Sequence, residues 1–487
     1  MKILLIYPVP PRAHWPLGEF RSTWVPTGLA CIATSLKRTS HQVAVHVREE
    51  TLVKNGFDWS AADAQLAALL REFRPDMVGL SVTTPTMPEA AAIATLAKEA
   101  LGRHVLVVAG GVHPTAVPEA ALREAADVDV AALGEGERTL VELAEKGPAP
   151  SVRGIVFRQG ESLVRTEPRP PAEDLDTLGP PAYDLFDMKY YTQPSRWLIR
   201  WLELSATNVR TSRGCSHRCS FCAGHVVAGL GVRYHSIPYV LDQLRHAADH
   251  LHVEAVHFED DTLGADRERL MALCDAICRQ GLHRRLTWDG CLRVNQADAE
   301  LLAAMRAAGC IQVEYGFESG SDDSLRRLGK GATAELNMRA VRLTREAGLR
   351  IFADIMVGLP GETPADLRQT VSFLRRARPE VISAARLCPL PGTQLYKNLP
   401  QATRDAMDLG GYAYLDYPAT RVNLTAMPDA TFERLYRRFQ NRLVRPQILW
   451  ALLRDTAKGN RDVRRRLRRR LAGFIMRHPI RALRAPW

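Results

Sequence analysis

Short apolar runs and amphipathic stretches alternate along the first 150 residues of the chain. Apolar runs of five or six residues predict buried strands, and an apolar residue every three or four positions predicts a helix. The predicted strands are Lys2–Tyr7, Gln42–Val47, Met77–Val82, His104–Ala109 and Val128–Leu133. The predicted helices are Thr27–Arg38, Ala61–Phe73, Pro88–Leu101 and Arg138–Lys146. This alternation predicts an α/β fold with a doubly wound, Rossmann-like parallel sheet.

Small and polar residues follow three of these strands. Ligands of open α/β sheets bind outside the carboxyl ends of the strands, so these residues predict a binding edge. They are Ser81, Thr83, Gly110, Gly111, His113, Gly134, Glu135 and Gly136. No G-x-G-x-x-G follows the first strand, which disfavours a dinucleotide as the ligand.

A second alternation of strands and helices runs from residue 206 to about residue 393. Its predicted strands are Asn208–Val209, Glu254–Phe258, Leu286–Leu292, Ile311–Phe317, Arg350–Val357 and Val381–Leu387. Its predicted helices are Pro238–His250, Asp266–Gln280, Ala297–Ala308, Thr333–Ala347 and Pro364–Arg376. Repeated βα units predict a partial (β/α)6 barrel of the TIM type, whose active site lies at the carboxyl ends of the strands.

Two further regions complete the predicted organisation. A hairpin at Val152–Arg165 and a Pro-rich stretch at Pro168–Tyr183 predict a connector over residues 151–205. Residues 394–487 predict a helical cap, with helices at Asp429–Arg442 and Ile448–Lys458 and a basic tail. The expected domains are therefore 1–150, 151–205, 206–393 and 394–487.

Charge is concentrated at the carboxyl terminus. The net charge is +11, and Arg454–Trp487 holds twelve Lys or Arg and two Asp, or +10, so the rest sums to about +1. Apolar residues at helical spacing lie between these arginines, which favours a basic amphipathic helix on an anionic membrane surface. A solvated tail is the main alternative, and nucleic-acid binding is less favoured. Since no apolar run reaches the ~18 residues of a membrane span, we expect no transmembrane helix.

Three of the nine cysteines lie in one short loop, Cys215, Cys219 and Cys222, with the spacing C-x-x-x-C-x-x-C. Soft thiolate ligands suit an iron–sulfur cluster or zinc. Three thiolates leave one iron of a four-iron cluster open to bind a small molecule. A zinc site would need a fourth ligand, for which His217 or His225 is available. The odd number of cysteines and their clustering argue against a disulfide framework.

This loop, with Phe221 before the last Cys, resembles the motif of the radical S-adenosylmethionine (SAM) enzymes, and the six strand ends fit that family by position. The resemblance implies a 4Fe-4S cluster on Cys215, Cys219 and Cys222, with SAM on the open iron. It implies SAM contacts from several strand ends. These are Glu259, Asp260, Arg293, Glu318, Gly358 and Pro360, with Asp261 in the same segment as the first two.

The first domain resembles the cobalamin-binding domain attached to many radical SAM enzymes. The likeness rests on Pro26-Thr27-Gly28-Leu29 at the first helix and on the Gly110-Gly111 and Gly134-Glu135-Gly136-Glu137 turns. The resemblance implies cobalamin contacts at the binding edge. No D-x-H-x-x-G is present, which implies base-off cobalamin without a lower His ligand. His113 is a candidate neighbour of cobalt or a turn residue, and Arg48-Glu49-Glu50 stands where relatives place an Asp.

The resemblance implies an enzyme that reductively cleaves SAM to a 5′-deoxyadenosyl radical and methylates an unactivated carbon of a small or lipid-like substrate. One alternative is a cobalamin-dependent cyclase or rearrangement enzyme of the tetrapyrrole or hopanoid type, and another is a cobalamin-binding sensor. The expected reductant is a flavodoxin or ferredoxin. A thiolate-held cluster needs a reducing compartment, so we expect a cytoplasmic protein, with peripheral membrane contact through the tail.

Overall fold

A computed structural model describes residues 1–10, 24–200, 202–407 and 422–444. The amino-terminal domain contains a seven-stranded sheet of order β2-β1-β3-β4-β5-β6-β7. Its strands are β1 Lys2–Tyr7, β2 Gln42–Val47, β3 Met77–Ser81, β4 Leu106–Gly110, β5 Val130–Ala132, β6 Ile155–Gln159 and β7 Ser162–Arg165. Its helices are α1 Thr27–Arg38, α2 Arg48–Lys54, α3 Trp59–Phe73, α4 Met87–Leu101, α5 Val112–Ala116, α6 Pro118–Glu124 and α7 Glu137–Lys146.

The five predicted strands are confirmed and pair in parallel. Apolar side chains alternate between the two faces of the sheet and enter two separate cores. Ile3 and Leu5 pack on the α1 and α7 side, whereas Leu4 and Ile6 pack on the α3 and α4 side. Helices therefore cover both faces, as a doubly wound parallel sheet requires.

Three features of this domain differ from the prediction. The hairpin β6–β7, predicted as part of the connector, extends the sheet because β6 pairs antiparallel with β5. The segment after β2 is a helix and not a loop, because Arg48 begins α2. The buried Arg48 guanidinium pairs with Glu89 at 2.8 Å and also with Asp63. Helices α5 and α6 were not predicted, since their Pro and small residues conceal a helical period.

The connector contains α8 Met188–Tyr191 and leads into the second domain. That domain contains a six-stranded parallel sheet of order β15-β14-β13-β12-β11-β8 and a separate two-stranded ribbon, β9–β10. The strands are β8 Ala206–Val209, β9 Ser212–Arg213, β10 Arg233–Tyr234, β11 Ala255–Phe258, β12 Thr287–Leu292, β13 Cys310–Glu318, β14 Arg350–Val357 and β15 Val381–Arg386. The sequential order confirms the predicted six-stranded partial barrel.

Helices alternate with these strands and cover the outside of the barrel. They are α9 His225–Ala228, α10 Ile237–Asp249, α11 Arg267–Arg279, α12 Ala299–Ala307, α13 Asp322–Leu328, α14 Ala334–Glu346, α15 Pro364–Ala377, α16 Gln394–Lys397, α17 Gln401–Asp405 and α18 Asp429–Phe439. Predicted helices 238–250, 266–280, 297–308, 333–347 and 364–376 are confirmed, whereas α13 was missed. Cys274 and Cys278 on α11 contribute to the packed core, as predicted.

The carboxyl-terminal region is described as far as residue 444. Phe432, Tyr436 and Phe439 of α18 pack against the barrel core, and Gln440 donates a hydrogen bond to the Ala384 carbonyl at 2.9 Å. The predicted helix 448–458 and the basic tail lie outside the described residues. Among the helices that the structure describes, none combines the length and the apolar character needed to cross a bilayer.

Candidate active site between two sheet edges

The cysteine loop is closed at its base by the β9–β10 ribbon, in which Arg213 pairs with Arg233. Gly214 precedes the first cysteine with φ +94°, and a Cβ there would collide with the Gly231 carbonyl oxygen. Only glycine fits this position, because an L side chain is disfavoured at that φ and has no space. The loop therefore leaves the ribbon in one fixed direction.

The three thiols lie close enough to influence one another. Cys219 is buried, whereas Cys215 and Cys222 are partly buried. Burial raises the pKa of the Cys222 thiol, negative charge on Cys219 and Cys215 raises it further, and the Gly224 N–H at 3.3 Å opposes the rise. Three converging thiolates are thus unfavourable unless a positive centre compensates their charge, which suits a metal cluster.

The arrangement does not favour the zinc alternative. Ligand atoms of one tetrahedral zinc ion lie within about 4 Å of one another. Among the described residues, the one group of three His, Cys, Asp or Glu ligand atoms lying within 4.8 Å of one another is His257, Asp289 and Glu314, away from the cysteine loop. The wider spacing of the three thiols fits a cluster, where each sulfur binds a different iron.

Asp260 fastens the start of the cysteine loop. Its carboxylate accepts hydrogen bonds from the Thr211 N–H at 2.7 Å, the Thr211 hydroxyl at 2.5 Å and the Ser212 hydroxyl at 2.7 Å. These bonds occupy both oxygens of a side chain that is 6% exposed. The structure therefore assigns Asp260 a positioning role, where the sequence predicted contact with SAM.

Glu259 also bonds to protein groups and connects the two domains. One oxygen accepts from Thr27 of α1 at 2.8 Å and from Asn208 at 3.0 Å, and Arg210 lies 3.0 Å from the other. Asp261, by contrast, faces the loop: it accepts from the Gly214 N–H at 3.2 Å, and burial raises its pKa. Of the three adjacent acids, Asp261 is the one that accepts a hydrogen bond from Gly214, the residue directly before Cys215.

Arg293 lies beside the second cysteine. Its Nη1 is 3.5 Å from the Cys219 sulfur, and Nη2 donates to the Lys330 carbonyl. Its Nε is buried and has no hydrogen-bond partner among the described residues. An unsatisfied buried guanidinium N–H next to the thiols fits an anionic group such as the SAM carboxylate.

Glu318 and Gly358 end the two neighbouring strands β13 and β14. Glu318 has φ +61° at a register shift, and its buried carboxylate pairs with Lys330. A non-glycine residue held at positive φ is strained, and such strain is concentrated at functional sites. Gly358 donates its N–H to Glu362 at 2.8 Å, and the Pro360 carbonyl accepts from Arg327 at 2.9 Å, so this turn is rigidly held.

The predicted cobalamin edge lies at the ends of β3, β4 and β5. Ser81, Thr83, Gly110 and Gly136 are partly buried there. Gly111 has φ +104°, and a Cβ would lie 2.7 Å from the Val82 carbonyl oxygen, so the turn after β4 requires glycine. The Gly134 N–H donates a hydrogen bond to the Thr115 hydroxyl oxygen at 3.1 Å.

His113 does not reach out from this edge. It is fully buried, with Nδ1 3.2 Å from the Thr84 hydroxyl and Nε2 3.5 Å from Glu124. The structure therefore supports its alternative interpretation as a packed turn residue and gives no support to a cobalt contact from its side chain.

Glu135 belongs to a buried interdomain cluster that we call the arginine clamp: Arg213, Arg233, Glu135 and Glu137. Arg213 lies 2.7 Å from Glu137 and 3.2 Å from Glu135, and Arg233 lies 2.8 Å from Glu135. Burial tends to raise the pKa of Glu135, but hydrogen bonding to Arg233 and the two positive charges lower it overall. The side chain predicted to contact cobalamin therefore holds the cysteine loop to the first domain.

A second contact brings the same two edges together. Helix α9, which follows the third cysteine, packs against α5 of the first domain. Val226 of α9 lies so close to Gly392 that a Cβ on Gly392 would be 2.7 Å from it and 3.1 Å from Ala116. The cysteine loop thus lies between the carboxyl edges of the two parallel sheets.

A doubly wound domain opposed to a partial barrel, with a three-cysteine loop between them, defines a two-domain α/β metalloenzyme. Family models match in the same order: the B12 binding domain at residues 14–144 and the Radical SAM superfamily at residues 209–374. An uncharacterized methyltransferase from Pyrococcus horikoshii is 30% identical over 82% of this chain and 83% of its own length. The chain belongs to the cobalamin-binding radical SAM enzymes.

Other relatives extend the comparison. An anaerobic magnesium-protoporphyrin IX monomethyl ester cyclase from Cereibacter sphaeroides is 26% identical over 86% of this chain and 66% of its own length. The solved structure of the methyltransferase TsrM from Kitasatospora setae covers 81% of this chain and 74% of its own, with 22% identity and a TM-score of 0.66. The radical enzyme OxsB covers 97% and 71%, with 16% identity and a TM-score of 0.72, so the fold is shared.

Family membership establishes the cofactors as a 4Fe-4S cluster, SAM and cobalamin. The residues present fit all three. The thiols supply cluster ligands, Arg293 offers a free buried N–H beside them, and the glycine turn at Gly111 leaves the first sheet edge open to a bulky ligand.

Proposed function

We propose that the protein transfers a methyl group to a carbon atom of a small-molecule substrate held between the two sheet edges. The observation that carries this proposal is the placement of the cysteine loop between those edges, fixed by the arginine clamp. When bound, the cofactors supply an electron, an organic radical and a methyl group, while the protein orients and shields them.

We assign the site residues as follows. Cys215, Cys219 and Cys222 are the thiolate ligands of the cluster. Arg293 binds the SAM carboxylate, because its fork points at Cys219 and one N–H is unsatisfied. Asp261 accepts a hydrogen bond from the SAM amino group, because it lies at Gly214, directly before the first cysteine. Glu259 and Asp260 are less suited to this role, because their carboxylates already bond to protein groups.

Glu318 and the turn at Gly358–Pro360 complete the proposed SAM site. Glu318 pairs with Lys330, and a ribose hydroxyl can take one of its acceptor positions without leaving Lys330 unpaired, because Lys330 also donates to the Gly316 carbonyl at 2.5 Å. The Gly358–Pro360 backbone lies beside it at the same sheet edge. On the opposite edge, the hydroxyls of Ser81 and Thr83 and the backbone at Gly110, Gly111, Gly134 and Gly136 line the proposed cobalamin site.

A ring-forming or rearrangement reaction is the second candidate, favoured by the cyclase among the relatives. Both candidates need the same cluster, SAM and cobalamin residues. They differ in whether SAM is also consumed as a methyl donor. A flavodoxin or ferredoxin remains the proposed reductant, and membrane contact through the basic tail stays a prediction.

The test uses anaerobically purified protein reconstituted with iron, sulfide and cobalamin, and incubated with SAM and dithionite. Products are quantified by mass spectrometry for wild type, for the triple Cys215, Cys219 and Cys222 to Ala variant, and for Cys278→Ala, which changes only a packing residue of α11. We expect 5′-deoxyadenosine and S-adenosylhomocysteine from wild type and Cys278→Ala, and neither from the triple variant. 5′-Deoxyadenosine alone would favour the ring-forming reaction, and the absence of both from wild type would contradict both candidates.

A further inference from the structure

The interior of the barrel contains a polar layer that neither the cluster nor the SAM assignment uses. Val256, Trp288, Val313 and Ile355 point outward into the helix-facing core. Because side chains alternate along a strand, their neighbours point into the barrel. These neighbours form the interior layer: His257, Asp289, Gln312, Glu314 and Asp354.

The strand register brings the layer together. His257 is the cross-strand partner of Asp289, and Asp289 is the partner of Gln312. The His257 Nδ1 lies 2.8 Å from one Asp289 oxygen, and Gln312 donates to the other at 3.1 Å. Each Asp289 oxygen and the His257 Nδ1 therefore have a hydrogen-bond partner within the layer.

Glu314 is different. It makes no hydrogen bond and no ion pair with any residue that the structure describes, although one of its oxygens lies within 4.8 Å of the His257 and Asp289 ligand atoms. Glu314 and Asp354 are partly buried, whereas Asp289 is fully buried. These two acids therefore keep some accessible surface through which a ligand can reach them.

The charges of the layer do not balance. The layer contains three acids, Asp289, Glu314 and Asp354. The cationic groups that face them are His257 and Arg200, and the charge of Arg200 acts on both Glu314 and Asp354. Glu318 and Lys330 at the rim cancel each other. Two positive against three negative groups leave one uncompensated negative charge. Burial raises the pKa of Glu314 to about 8 and of Asp354 to about 7, so ionisation of both acids is disfavoured without a further cation.

The side of the layer toward the amino-terminal ends of the strands is apolar. Leu198, Ile199, Ala206 and Ala255 form an apolar floor, and the edge of the Trp24 ring lies against His257 with centroids 4.6 Å apart. Glu314 precedes Glu318 by four residues of the same strand, so at ~3.3 Å per residue it lies roughly 13 Å below the edge where the cofactors meet. A ligand that contacts Glu314 and reacts at that edge has to span this distance.

We propose that this interior layer binds a protonated nitrogen of the substrate, through Glu314 and Asp354, several bonds away from the carbon that reacts. This inference rests on the proposed function and names its substrate class: a small molecule with one basic nitrogen, rather than a hydrocarbon-like lipid. A single positive charge matches the single uncompensated negative charge, and an ammonium supplies the donors that the Glu314 carboxylate lacks.

The test identifies the substrate by charge. Metabolites from the cells that produce the protein are loaded in dilute acid on a strong cation exchanger, so that carboxyl groups are neutral and every compound with a basic nitrogen is retained. Retained and unretained fractions are each added to the reconstituted holoenzyme with SAM and reductant. We expect the retained fraction to stimulate formation of S-adenosylhomocysteine.

Variants link that response to the layer. Glu314→Gln and Asp354→Asn should raise the concentration of the retained fraction needed for half-maximal response roughly 10- to 100-fold, the value of one or two hydrogen bonds to a charged group. Substrate-independent 5′-deoxyadenosine formation and the cluster and cobalamin spectra should not change. Glu335→Gln, an exposed acid on the outer helix α14, is the matched control.

Stimulation by the unretained fraction would overturn the inference and leave the proposed function standing. No stimulation by any fraction would overturn both. A divalent metal that wild type retains and Glu314→Gln loses would also overturn it, because His257, Asp289 and Glu314 would then hold a metal ion and not the substrate nitrogen.

Discussion

Replacing Glu137 by Gln removes the nearest carboxylate from Arg213 in the arginine clamp. The side chains of Arg213 and Glu137 are 9% and 5% exposed, and their charged atoms lie 2.7 Å apart. Removing one partner of a buried ion pair costs about 3–5 kcal/mol, because the remaining charge is left without compensation. Glu135 stays 3.2 Å from Arg213, so we expect the lower end, about 3 kcal/mol.

That cost should appear as local opening of the β9–β10 ribbon and the cysteine loop. Since each 1.4 kcal/mol is a factor of ten, about 3 kcal/mol corresponds to roughly 100-fold faster amide exchange through opening of residues 212–234. The assay is hydrogen–deuterium exchange of the reconstituted holoprotein, followed by mass spectrometry of peptides from this segment and from the start of α7.

Glu119→Gln is the matched control, because Glu119 pairs with Arg165 on the surface, with side chains 38% and 55% exposed. An exposed pair contributes at most about 1 kcal/mol, so its loss should leave the segment protected. Equal exchange in Glu137→Gln and Glu119→Gln would refute the clamp. If the clamp holds the domains in register, Glu137→Gln should also lower the ratio of S-adenosylhomocysteine to 5′-deoxyadenosine.

Three further predictions concern single residues. Asp260→Asn removes a charged acceptor of three hydrogen bonds, and each such bond contributes about 1.5–3 kcal/mol. The iron content per chain and the urea midpoint of unfolding should therefore both fall. An unchanged iron content would contradict the positioning role of Asp260. Glu314 binds its proton more tightly in the folded state, since its pKa rises from 4.5 to about 8. The free energy of unfolding should therefore fall as the pH rises through that window, by up to roughly 1.4 kcal/mol per pH unit. Glu314→Gln should flatten this pH dependence, and an equally steep dependence in the variant would rule the explanation out. Gly111→Ala places a Cβ at φ +104°, so it should lower the free energy of unfolding by about 1–3 kcal/mol and reduce cobalamin retention. Gly28→Ala is the control, because Gly28 lies in open space on α1 and its replacement should be neutral or stabilising. Equal effects of the two variants would argue against a tight turn at Gly111.

The sequence predicted helices and strands best where the period of the apolar residues and the residues that terminate an element agree. Helix α1 and strands β1, β2 and β14 match their predicted bounds because strong apolar patterns end at clear polar or turn residues. Helix α2 was missed because a polar Arg48 directly after an apolar strand is typical of a strand end. The burial of Arg48 depends on Asp63 and Glu89, which are distant in sequence and which no local pattern reveals.

The candidate site shows the same limit. Spacing was enough to single out the three cysteines, and position along the barrel was enough to single out Arg293 and Glu318. The roles of Asp260 and Glu135 depend on contacts across 48 and 78 residues or more of sequence, with Ser212 and Arg213, so their carboxylates looked available for ligands until the fold was known. The interior layer was missed for a related reason: His257, Asp289 and Glu314 each stand alone in a strand and meet only through register.

The central claim is that SAM serves both as radical source and as methyl donor in a site between the two sheet edges. The most direct measurement supplies SAM with a deuterated methyl group to the reconstituted holoenzyme, together with the stimulating metabolite fraction, and follows all products by mass spectrometry. The account predicts a substrate-derived product that carries the deuterated methyl group, with 5′-deoxyadenosine and S-adenosylhomocysteine formed in equal amounts. A product without the label, formed with 5′-deoxyadenosine alone, would contradict it.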